Sequence, residues 1–138
     1  MSNCYKAQEM SMKSKEYALT KNREGWLGMF TDDAVVMDPV GVSPMDPTGL
    51  GHNGKAAISA FYDKHMATAN LVEFEIQHSI PAGDSCANLV YLKNQITDDL
   101  AITQYMIVVY TANDEGMLTS LKAHWEWKKL EEQLSGAA

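Results

Sequence analysis

Residues 55–80, Lys55-Ala56-Ala57-Ile58-Ser59-Ala60-Phe61-Tyr62-Asp63-Lys64-His65-Met66-Ala67-Thr68-Ala69-Asn70-Leu71-Val72-Glu73-Phe74-Glu75-Ile76-Gln77-His78-Ser79-Ile80, change their apolar period halfway along. Ala57, Ile58, Phe61 and Tyr62 lie at helical spacing, which predicts a helix over Lys55–Ala67. Beyond it Val72, Phe74, Ile76, His78 and Ile80 alternate with Glu73, Glu75, Gln77 and Ser79, the period of two of a half-buried strand. Upstream the pattern is mainly helical. Tyr5–Lys21 is an amphipathic stretch whose inner face is interrupted at Ser14, and Asn22 can cap a second helix running through Phe30, with Trp26, Leu27, Met29 and Phe30 inward. Asp32-Asp33 reads as a turn and Ala34–Asp38 as a strand stopped by Pro39. Gly41–Gly54, with four glycines and two prolines, reads as a long loop. Downstream the turn sequences PAGDS, ITDD and NDEG separate strands at Cys86–Ile96, Leu100–Ala112 and Met117–Lys128, the last passing into a tail, 127–138, expected to fray. Helices first and a meander afterwards predict a single α+β domain over 1–138, with three N-terminal helices packed on one face of a curved, mostly antiparallel sheet.

Composition narrows the function. The 138 residues suffice for one core and are too few for two domains, and a net charge of −7 disfavours phosphate backbones and anionic lipid as partners. The expectation is therefore no nucleic acid and no membrane. Cys4 and Cys86 lie far apart, fitting a reducing compartment better than a disulfide framework. With no apolar run of signal-peptide type in the first twenty residues, the expected location is the cytoplasm. The four histidines lack the short ligand spacings of a metal site, and no nucleotide-binding or nucleophile-elbow motif occurs, so neither metal nor cofactor is expected.

The stretch richest in chemistry is Phe30-Thr31-Asp32-Asp33-Ala34-Val35-Val36-Met37-Asp38-Pro39-Val40-Gly41. Alternation places Asp38 on the face of Ala34 and Val36, a carboxylate ending an apolar row. In a pocket, desolvation would raise its pKa into the range of a general base; on a surface, Asp-Pro would merely end a strand. This stretch resembles the F-x-D-D-A-x-V-x-D-P-x-G segment of the bacterial ketosteroid Δ5-isomerases and their nuclear transport factor 2-like (SnoaL-like) superfamily. Gly54-Lys55-Ala56-Ala57-Ile58-Ser59-Ala60-Phe61-Tyr62 is similar to the family's G-x-A-A-I-x-x-F-Y helix, and Gly116-Met117-Leu118 through Trp125 continues the match in order.

The resemblance implies a cone-shaped pocket between sheet and helices, a homodimer, and a small apolar ligand, steroid-like or polycyclic. It makes Asp38 the base for proton transfer next to a carbonyl, and Phe30, Phe61, Val108 and Trp125 the wall. Ser14 falls where the family has its oxyanion-binding tyrosine, with Tyr17 almost a helical turn further on, and Val108 falls where the family has its protonated aspartate. Ser14 or Tyr17 is then the remaining catalytic donor, and isomerisation should be slow. Three functions stay open: an isomerase-like enzyme, a binding protein that keeps the pocket, and a polyketide cyclase or dehydratase with His78 or Ser14 assisting Asp38. Asn94 or Gln95 must point inward from its strand. Arg23, the sole arginine, opens the second helix, so the Asp-Arg-Asp set of limonene epoxide hydrolase is not expected.

Overall fold

The computed structural model describes residues 2–136. Helix α1 spans Asn3–Thr20 and closes at Lys21, which adopts the left-handed conformation so that the Asn22 amide turns back to the Tyr17 carbonyl. Asn22 then caps α2, Arg23–Leu27, its side-chain oxygen accepting from the Gly25 amide at 2.9 Å. The short helix buries Trp26 almost completely. It ends earlier than its apolar pattern suggests, because the backbone around Met29 and Phe30 pairs with Leu118 instead.

Strand β1 covers Phe30–Met37 and runs parallel to β6, Leu118–His124. The Asp32-Asp33 pair is a bulge in this strand rather than a turn, since five steps along β1, Phe30 to Val35, face only two along β6, Leu118 to Ser120. Within the expected loop a two-residue strand, β2 at His52–Asn53, adds an antiparallel edge to β1. Helix α3, Lys55–Phe61, continues into a π-helical turn, Tyr62–Met66, before the long strands β3 (Leu71–Ala82), β4 (Ser85–Gln95) and β5 (Ala101–Ala112). The order across the sheet is β2-β1-β6-β5-β4-β3, with every neighbour antiparallel except β1 and β6. The α+β architecture is the expected one, with an open sheet.

The structure corrects two further sequence expectations. Bulges shift the β3–β4 register between Leu71 and Glu73 and between Ile76 and His78, and each shift reverses which side chains face inward. Only Phe74 and Ile76 of the alternating set remain packed on the core; Val72, His78 and Ile80 face solvent. The end of the chain is the second correction. β6 stops at His124, and Trp127–Leu134 form a fourth helix, α4, in place of a fraying tail; residues 137 and 138 lie outside the described part. Trp127, Leu130 and Leu134 stand at i, i+3 and i+7, so one face of α4 is apolar. The Gln133 amide holds the helix to β5, accepting from the Thr103 amide at 2.8 Å and donating to the Thr103 carbonyl at 2.9 Å. β5 outruns β6 at this end, and Gln133 supplies the pairing that a strand would have given.

Candidate active site

α1 lies across β3, β4 and β5. Between this helix layer and the concave face of the sheet is a cavity of about 260 Å³ lined mainly by apolar side chains. Successive strands lie in register beneath it, and β4 reaches its lining at Leu92 and Asn94. Asp38 follows the end of β1, the Val40 amide donates to the Ala123 carbonyl of β6, Ala123 pairs with Val108 of β5, and Val108 pairs with Asn88 of β4. One pleat away, Leu121, Tyr110 and Cys86 form the neighbouring row. The π-helical turn after α3 carries His65 and Met66 into the wall beside Phe61, and α4 contributes Leu130. The Gly41–Gly54 loop winds on the buried carboxylate of Asp46, which accepts from the Gly51 amide at 2.8 Å and the Thr48 hydroxyl at 3.1 Å, and Met45 beside it enters the cavity.

Among the described residues, Asp38 is the only carboxylate on this lining. Its Oδ1 accepts a hydrogen bond from Trp125 Nε1 at 2.6 Å. Desolvation outweighs that bond and pushes the carboxyl up to about 6. The group is thus ionised at neutral pH, yet basic enough to take a proton back readily. Tyr110, fully inside, is pushed up to about 12, by burial first; its bond to Ser14 opposes the shift and the Asp38 charge adds to it. Ser14 Oγ is buried and accepts from Trp26 Nε1 at 3.1 Å and from the Tyr110 hydroxyl at 3.5 Å. His65 is held below the usual imidazole value by burial, then by Lys64 and His52, so it meets the cavity as a neutral ring.

Of the residues singled out in the sequence, Asp38, Ser14, Phe61, Val108 and Trp125 come together on this cavity. Tyr17 and Phe30 do not line it. On α1 the cavity face runs from Ser14 to Ala18, four residues on, while Tyr17, three residues on, rotates toward α2. There it lies so close to Gly25 that a Cβ on that glycine would stand 2.9 Å from Tyr17 Cε1. Phe30 sits at the opposite end of β1 from Asp38 and packs edge-on against Trp26, ring centroids 4.8 Å apart. His78, carried outward by the β3 bulge, is on the far side of the sheet from Asp38 and cannot assist it. Asn94 is the inward member of its pair, and its Oδ1 accepts from the Asn70 amide at 2.8 Å. Arg23 is committed outside the cavity, to Asp63 at 2.8 Å and to Ser59.

Tyr110 escaped the sequence reading as a site residue. The signal existed, because Tyr110 is two positions from Val108 on the same face of β5. What singles it out from a core tyrosine is its approach to Ser14, 96 positions away, which alternation cannot reveal.

The model of the SnoaL-like domain family matches residues 17–121. A search of curated proteins gives no significant match. Among solved structures, Rv0760c from Mycobacterium tuberculosis in complex with estradiol-17β-hemisuccinate superposes with a TM-score of 0.82 at 28% identity, over 90% of this chain and 96% of that one. The Δ5-3-ketosteroid isomerase from Mycobacterium sp. gives 0.81 at 29% identity, over 94% and 97% of the two chains. A computationally designed 17-OHP binder gives 0.82 at 26% identity, over 90% and 94%. Since the family model spans most of the chain and the cone of helices and sheet is shared along nearly its whole length, the chain belongs to the SnoaL-like family, as a ketosteroid isomerase-like member of the nuclear transport factor 2-like superfamily.

Proposed function

We propose that the protein moves a proton next to a carbonyl group on a steroid-like or other polycyclic ligand, with Asp38 as the base and without a cofactor. The observation that carries this reading is the Asp38 carboxyl itself, on the wall of an apolar cavity, held by Trp125 and pushed up to about 6 by desolvation. Ionised Asp38 takes a proton from the carbon flanking the carbonyl. The electron pair of the broken C–H bond passes through the conjugated system to the carbonyl oxygen. Asp38, now protonated, returns the proton to a carbon further along, so that the double bond has moved and the protein is unchanged. Phe61, Met106, Leu121 and Trp125 offer flat or compliant apolar surface to fused rings. The ligands named for two similar structures, an estradiol ester and 17-OHP, support the same class.

A second reading, binding without turnover, is favoured by Val108, which cannot donate a hydrogen bond to the developing oxyanion. A 3-keto-Δ5-steroid separates the two, because isomerisation creates a conjugated enone that absorbs in the near ultraviolet. The wild type should produce this absorbance. Asp38→Asn should lose on the order of 10²-fold to 10⁴-fold in kcat while the steroid still raises its melting temperature. Stabilisation by the steroid without turnover in the wild type would select the binding reading, and no stabilisation by any 3-ketosteroid would remove the ligand class.

A further inference from the structure

We propose that Asn94 and Gln104 form a second polar subsite, at the far end of the cavity from Asp38, that holds a hydroxyl group of the ligand. This subsite rests on the proposed ligand class and adds what the end remote from the carbonyl must carry.

The inward face of β5 presents Tyr110, Val108, Met106, Gln104 and Ile102, one side chain every second residue, and all five line the cavity. Gln104 interrupts an apolar run, because Met106 and Ile102 on either side of it are buried hydrophobic residues. Val108 shares the level of Asp38 through Ala123, so Gln104 stands two pleats further along the strand, about 13 Å. A fused-ring ligand with its carbonyl beside Asp38 extends along this row. On β4, Leu92 pairs with Gln104 and Asn94 pairs with Ile102, which makes Asn94 and Gln104 diagonal neighbours on one face of the sheet. Diagonal positions lie about 7–8 Å apart, close enough for two amide side chains to meet on one ligand oxygen.

Both amides keep groups to spare. Asn94 Oδ1 accepts from the Asn70 amide at 2.8 Å, which fixes the carboxamide and leaves its NH2 group without an acceptor among the described residues. The amides of Gln95 and Gln133 nearby are spent on the backbone, donating to the Thr97 carbonyl at 2.7 Å and the Thr103 carbonyl at 2.9 Å, whereas that of Gln104 bonds to nothing among the described residues. Asn94 and Gln104 are half-buried, so a ligand that fills the cavity displaces water from them. An alkyl end would take that water and return nothing. A hydroxyl accepts from the Asn94 NH2 and donates to the Gln104 carbonyl oxygen with a single atom, and so matches the pair. A ketone has no proton for Gln104, and a carboxylate would find no lysine or arginine among the described residues of the lining.

Titration with two 3-keto-Δ4-steroids, one with a hydroxyl on the D ring and one with hydrogen in its place, measures the subsite directly. The wild type should bind the hydroxylated steroid on the order of tenfold more tightly. Gln104→Leu, which breaks no hydrogen bond within the protein, should cut this preference about threefold or more, and Asn94→Leu with Gln104→Leu should abolish or reverse it. Both variants should bind the steroid without the hydroxyl at least as well as the wild type does, a result that a damaged fold would not give. Equal affinities in the wild type, or tighter binding of the steroid without the hydroxyl, would overturn the subsite and leave the ligand class standing; this comparison needs no variant to fold. A preference that survives undiminished in Gln104→Leu would equally overturn it. Failure of both steroids to bind would remove the proposed ligand class, and the subsite with it.

Discussion

Asp38 combines a charge with a setting that resists charge, and this has a consequence for stability as well as for chemistry. Its folded-state pKa, about 6, is above the ordinary aspartate value of 3.8, so the folded protein holds this proton more tightly than the unfolded chain does. The stabilisation from the protonated form is full below about pH 4 and is lost as pH rises through about 6. A rise of this size corresponds to about 2–3 kcal/mol. Asp38→Asn, which keeps an acceptor for Trp125 and carries no charge, should therefore be more stable than the wild type at pH 8 by about 2 kcal/mol, and equal to it near pH 4. Urea unfolding at the two pH values checks this. An unchanged difference between them would mean that the wild-type carboxyl is well hydrated. The same titration predicts that turnover rises with pH through about 6, as the base form appears.

At the scale of elements, the order of helices and strands was legible because a short alternating run at Ala34–Asp38 interrupts the helical pattern, the period changes for good at Asn70, and turn sequences punctuate the meander. The placement of Asp38 was legible too, from alternation in a strand whose pleat stays regular from Ala34 onward. Elsewhere, features set by partners defeated local reading. The β3 bulges depend on how many residues β4 sets opposite, so Val72, His78 and Ile80 could not be assigned a face from their own spacing. Helix α4 had a signal in Trp127, Leu130 and Leu134, but two turns without a cap are marginal until a surface receives them. Gln133 provides the anchor, which yields a local prediction. In Gln133→Ala the Thr103 amide should exchange with solvent at least tenfold faster while core amides such as Val108 keep their protection, and ligand release should accelerate because Leu130 no longer stays over the cavity. Unaltered Thr103 exchange would show that α4 does not depend on this contact.

For the molecule as a whole, the convex face of the sheet is the conspicuous apolar surface. Tyr105 is 64% exposed and Ile107 50%, with the Tyr91 ring tilted against Tyr105 at a centroid distance of 5.2 Å and Ile80 65% exposed further along. Three open strands carrying such side chains are an aggregation liability unless covered. The proposed cover is a second copy of the chain, giving a homodimer whose cavities open away from the shared face. Sedimentation should give twice the monomer mass at micromolar concentration, and Ile107→Lys should shift the population to monomer without loss of secondary structure. A wild type that remains monomeric at several hundred micromolar would refute this assembly. No helix among the described residues is long and apolar enough to cross a membrane, so a membrane-spanning helix does not account for this face.

Asp38 is proposed to remove a proton from a carbon beside a carbonyl, and exchange of that proton with solvent tests this role most directly, whether or not a double bond moves. A 3-ketosteroid incubated with the protein in deuterium oxide at neutral pH and followed by NMR should take up deuterium next to its carbonyl well above the buffer rate. Asp38→Asn, with the steroid still bound, should fall back to the buffer rate. Exchange by the wild type no faster than buffer, with the cavity demonstrably filled by the steroid, would contradict this role and leave a binding protein.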